Sequence, residues 1–230
     1  MLFRSDKIVA KGGDSCPPRY DDIGHRLKAF RLGSGLSAEE VAKRIGISRT
    51  ALYRFEKGEV VKIDTLEKLA ELLQVSLPTL LGVGVEYIPS AVTYFERMRQ
   101  IEETAEHIIV LAGPVSYLLA SDAFNATLGE LLRESIPENV EDRARAEAEV
   151  EEIMAVLRQR KENYRRRQPA IVNLIAASEI ARFLINGLVG RLDLPDKVRR
   201  ERRAIARAEV EHFAAMMEDE PIGVQIGIVP

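Results

Sequence analysis

The 230 residues carry 33 Lys and Arg against 36 Asp and Glu, for a net charge of −3, with 46% hydrophobic residues, 6% aromatic residues and no Trp. That composition excludes a disordered or fibrous protein, and a chain of this length buries a core, or two, without covalent staples. The single cysteine, Cys16, excludes an internal disulfide framework. The first residues lack a signal-peptide core and no run approaches the ~20 apolar residues of a membrane span, so no membrane association and a cytoplasmic location are expected.

Residues 1–19 contain Gly12, Gly13, Pro17 and Pro18 with little periodicity and read as a flexible arm. From Asp22, apolar residues recur at helical spacing through Ile23, Leu27 and Phe30, until the Gly-Ser-Gly of 33–35 stops the helix. Ser37 stands at an N-cap with Glu40 three residues on, the pattern of a capping box, and Gly46 ends that second helix. Ser48 caps a third helix carrying Leu52 and Phe55 inward, and Gly58 closes it. A fourth helix is expected with Asp64 as its cap and Leu66, Leu69, Ala70, Leu72 and Leu73 along it, and a fifth short turn follows Pro78. Residues 20–82 therefore read as a small domain of five helices, and the two glycines and the proline of 83–90 and its flank as a linker. No strand precedes Gly82-Val83-Gly84 and no Gly-Lys-Ser follows it, so it is not a phosphate loop.

Residues 91–230 read as a larger, mostly helical C-terminal domain with a few strands, which makes the fold class mainly α. The expected elements are a helix over 91–106, a buried strand over 107–112, a break at Gly113-Pro114 and a helical stretch around 116–124. A long helix over 141–167 turns Ala146, Val150, Ile153, Leu157 and Tyr164 inward. Pro169 and β-branched residues make 170–176 a strand; a charged helix then runs from Pro195 to about Asp219 with Val198, Ile205, Ala208 and Met216 inside. The closing residues read as a strand from Gly223, and an apolar strand needs a neighbour, so the 230 residues are expected to lack a final piece of sheet.

Between residues 19 and 62 ten Lys and Arg stand against six acids, so the N-terminal third is basic inside an acidic chain, as a nucleic-acid-binding head on another body would be. Leu36 through Gly58 resembles the helix-turn-helix of the Cro/CI-type (XRE family) repressors. Ala42 is the small residue where two helices cross, Gly46 makes the turn, Ile47 and Leu52 lock the angle, and "FEKG" and "IDTLEKLAELLQV" resemble the closing signature and the fourth helix. The resemblance implies a λ-repressor-like five-helix fold and a bacterial transcription regulator that binds double-stranded DNA as a homodimer. It places the helix from Ser48 to Glu56 in the major groove, with Ser48, Arg49, Thr50, Tyr53, Arg54 and Lys57 facing outward. Arg49 is expected to read guanine through O6 and N7, and Ser37, Arg26 and Lys62 to touch the DNA backbone. Resembling proteins often have Gln where this chain has Ala38 and Arg49, so the operator sequence differs while the docking does not. A carboxylate facing phosphate would be repelled; Glu56 is expected to turn inward and pair with Arg31, as the resembling proteins pair these positions.

Over 95–230, "ETAEHIIVLAGPVSYLLASDAF", "EEIMAVLRQRKENYRRRQP" and "MMEDEPIGVQIGIVP" are similar, in order and spacing, to an uncharacterised domain that follows such heads in actinomycete regulators. Ser116, Ala120 and Ser121 replace the Pro, Gln and Thr of that domain's hallmark. The basic runs Arg158 to Arg167 and Arg199 to Arg207 read as solvated helix faces. Three separated histidines, no metal-ligand spacing and no nucleophile elbow leave catalysis, metals and cofactors unexpected. Two readings of the C-terminal domain stay open: dimerisation with a small-molecule effector, or a module for RNA polymerase or another partner protein, co-activator or antitoxin-like.

Overall fold

The computed structural model describes residues 20–59, 61–83, 88–111, 113–191 and 193–230; the expected arm over 1–19, with Cys16, and residues 84–87 of the expected linker lie outside them. The described residues form ten helices and three strands, the mainly helical class expected, in two compact units that meet in sequence at Ile101 and Glu102.

The first unit contains α1 (Tyr20–Gly33), α2 (Ala38–Ile45), α3 (Arg49–Glu56), α4 (Ile63–Leu72), α5 (Leu77–Leu81) and nearly all of α6 (Ala91–Glu102). Leu27, Phe30, Val41, Leu52, Leu69 and Leu80 close its core, each burial worth about 1.5–3 kcal/mol before the entropy of ordering is set against it. α4 starts one residue before Asp64, with Lys62 at the cap position and no side chain bonding the first amides, so Asp64 acts on the helix dipole rather than as the cap. α6 joins this unit through Gln100, whose Nε2 donates to the His25 carbonyl at 2.9 Å, and through Gly33, where any Cβ would fall on the buried Thr93 hydroxyl. Its buried residues are Val92, Thr93, Glu96, Arg97 and Gln100, so one valine, with no apolar stripe, marks it as packing beside the preceding helices.

The second unit runs β1 (His107–Val110), α7 (Asp122–Glu134), α8 (Arg143–Arg167), β2 (Ala170–Ala176), α9 (Ala177–Asn186), α10 (Asp196–Asp219) and β3 (Val224–Val229). The strands form one parallel sheet in the order β1-β2-β3, with His107 opposite Ala170 and Ile171 opposite Val224. A helix pair makes each crossover, as parallel neighbours require. Ile171 and Ile175 pack against Leu118, Leu119 and Phe213 on the inner face, while on the outer face Ile109 is 69% exposed and Leu174 and Val229 are also exposed.

Three sequence expectations are corrected here, and one helix had no expectation. Residues 117–119 form a turn, and α7 starts only at Asp122, where the Ser121 hydroxyl caps the Phe124 amide at 3.1 Å. α9 follows β2 without a break and had no separate signal. On α10 the buried positions are Arg202, Ala206, Glu209 and Phe213; Ala208 faces out. The basic runs are not wholly solvated: Arg160 and Lys161 on α8 and Arg202 on α10 are buried. Arg160 forks onto Glu102 at 2.8 and 2.7 Å, Lys161 donates to the Ala120 carbonyl, and Arg202 reaches Glu134 at 2.6 Å. Burial of a charge requires such partners, and each partner lies far away in sequence, where periodicity does not look.

Candidate nucleic-acid interface

The spacing of polar and small residues builds the α2–α3 angle. The Ser37 amide and hydroxyl donate to Glu40 Oε2 at 2.9 and 2.8 Å, and the hydroxyl oxygen accepts from the Glu40 amide at 3.2 Å, which completes the capping box. Those bonds, the backbone one first, hold the exposed Glu40 carboxyl below its ordinary pKa. α2 ends at Gly46 with φ 77°, a left-handed conformation that only glycine adopts freely. The Ile47 amide then returns to the Ala42 carbonyl at 3.0 Å, and Ser48 caps α3 by accepting from the Ala51 amide at 3.0 Å. Leu52, fully buried, fixes the rotation of α3, so Arg49, Thr50, Tyr53 and Arg54 all emerge on its solvent side. Ser48 and Lys57 are exposed at its two ends.

Two of these cations are restrained by neighbours. Arg49 Nη2 and Nε donate to the Tyr53 hydroxyl at 3.0 and 3.3 Å, and its Cζ lies 5.3 Å from the ring centroid. Arg54 Nε donates to Glu59 Oε2 at 2.7 Å, a partner the sequence reading did not identify; the same bond holds Glu59 below the ordinary carboxylate range. Glu59 lies five residues beyond Arg54, past the end of α3, outside the helical pair spacings. Lys62 is exposed before α4, and Ser37 is exposed before α2 with its hydroxyl committed to the capping box.

The remaining candidates face inward. Arg31 Nε and Nη2 donate to Glu56 Oε1 and Oε2 at 2.5 and 3.1 Å, with the two residues 7% and 6% exposed. Arg26, expected at the DNA backbone, is buried: Nε and Nη2 donate to the Leu80 and Leu81 carbonyls, both at 3.2 Å. It satisfies the carbonyls that α5 leaves open at its C-terminus, a role set by a segment more than fifty residues later.

Residues 27–80 match the helix-turn-helix family. No curated protein and no solved structure matches the chain. The head is a Cro/CI-type helix-turn-helix, a DNA-binding domain of transcription regulators, and the match leaves the second unit unassigned. Among the described residues no helix is long and apolar enough to cross a membrane.

Proposed function

We propose that this chain is a cytoplasmic transcriptional regulator that binds operator DNA as a homodimer, with α3 in the major groove. The observation that carries the reading is the exposed row Ser48, Arg49, Thr50, Tyr53, Arg54 and Lys57 on the second helix of a helix-turn-helix. Arg49 reads a base edge and Lys62 bonds to phosphate beside it, while Ser37, whose amide and hydroxyl both donate to Glu40, holds the start of α2 in place. A single α3 reaches few base pairs, so two heads on half-sites about one helical turn apart supply the affinity.

The second unit dimerises the protein and senses a ligand or partner. The uncovered apolar face carrying Ile109, Leu174 and Val229 supports a role in protein association, because parallel sheets are ordinarily covered on both faces. Selection of duplexes from a random library by the full chain, at one fixed salt concentration, tests the reading. A two-fold-related site that Arg49→Ala weakens by about 1–3 kcal/mol per half-site supports it. A library that shows no enrichment overturns it.

A further inference from the structure

We propose that Tyr53 is a positioning residue that makes Arg49 a guanine reader; the inference rests on the DNA-binding reading above. The guanidinium has five N–H bonds, one on Nε and two on each Nη. The Tyr53 hydroxyl oxygen accepts from Nε at 3.3 Å and from Nη2 at 3.0 Å, so the side edge of the guanidinium is occupied. The parallel pair at the far end, one N–H from Nη1 and one from Nη2, stays available. That end-on fork matches two acceptors side by side, the O6 and N7 of guanine. Adenine keeps N7 but places an amino donor where O6 would be, and the fork loses one bond there.

The restraint is built into α3, because side chains four residues apart share a face of a helix. From α2 the Glu39 carboxylate acts on Arg49 through charge and not through a hydrogen bond, and Ala38, 5% exposed, has only a methyl group. An Arg held before docking also gives up less conformational freedom on binding than one free to rotate. The Tyr53 proton is not used by Arg49, which is a donor only, and it remains for an acceptor on the DNA.

The test compares the full chain with Tyr53→Phe, which keeps the ring and removes the hydroxyl, on the duplex selected by the wild type and on copies with each guanine replaced. Tyr53 is partly exposed, so the melting temperature is expected to be unchanged, and any loss of its own bond to DNA lowers affinity for every duplex alike. At the guanine whose replacement matters least to Arg49→Ala, the preference over adenine falls about two- to tenfold in Tyr53→Phe, the share of one hydrogen bond. Undiminished guanine preference in Tyr53→Phe overturns the inference and leaves the DNA reading intact. A wild type that selects no site overturns the DNA reading and this inference with it, whereas an Arg49→Ala variant that loses preference at no position overturns the inference alone.

Discussion

The carboxylate of Glu56, the last residue of α3, accepts both prongs of the Arg31 guanidinium of α1 in a buried fork. The pair ties the end of α3 to α1 and removes a negative charge from the surface beside Lys57. Glu56→Ala strands the buried Arg31 charge, and the first unit is expected to lose about 3–5 kcal/mol. Thermal denaturation measures it; a melting temperature equal to wild type would show that the fork adds nothing.

Glu96 of α6 accepts from Arg99 at 2.8 and 2.9 Å and from Gln100 at 3.0 Å, with Lys28 at 3.8 Å. Burial pushes its carboxyl up, but the bonds and charge of Arg99, with Lys28 and Gln100, outweigh it and hold it below the ordinary carboxylate range. A depressed folded pKa contributes stability that is present above the unfolded value and is lost as pH falls through the folded one. Glu96→Gln is therefore expected to melt below wild type at neutral pH, and the gap closes as the pH falls from about 5 through the acid range. A gap that is constant with pH contradicts the assignment.

Asn173 lies at the centre of β2, fully buried, and neither its Oδ1 nor its Nδ2 has a hydrogen-bond partner. Its strand neighbours on either side are Val110 and Ile226. An unpaired amide in apolar surroundings costs about 1–3 kcal/mol. Asn173→Leu, close in volume, is expected to raise the melting temperature by a few degrees. A lower melting temperature would mean that the amide has a function the apolar replacement cannot supply.

Glu209 on α10 accepts from the Ser121 amide at 2.8 Å and the Ser121 hydroxyl at 2.5 Å, and so fastens the start of α7. Glu209→Ala leaves two donors without a partner, at about 1–3 kcal/mol for each that stays buried. Amide exchange at Ser121 and Phe124 is expected to speed up well before that of the sheet, whereas unchanged protection there would remove Glu209 from this role.

The head was legible because its signals are local. The Ser37 and Glu40 capping box, Gly46 at a left-handed turn and Leu52 inside α3 are each recognised within a few residues. The strand at 170–176 was legible for the same reason, from Pro169 and its β-branched residues. Arg26, Lys161, Arg202 and Glu209 were not, since each is an ionisable residue buried by a partner supplied from a distant segment. Sequence patterning assigns charge to the surface, and α10 shows the result: Ile205 and Met216 pack against the core as expected, but Arg202 and Glu209 share that inward face and carry no apolar signal.

The all-parallel order of the sheet also dictates when its three strands can pair. His107 meets Ala170 and Ile171 meets Val224, so no strand pair forms until an entire helical crossover has been made. Within the head, α2, α3, α4 and α5 pack on near neighbours in sequence and assemble early, while the sheet must close long loops before any ladder bond rewards it. During synthesis the DNA-binding half is accordingly expected to be native while β1 and β2 still wait for β3, and a ribosome stalled before Val224 would carry a folded head and an open sheet.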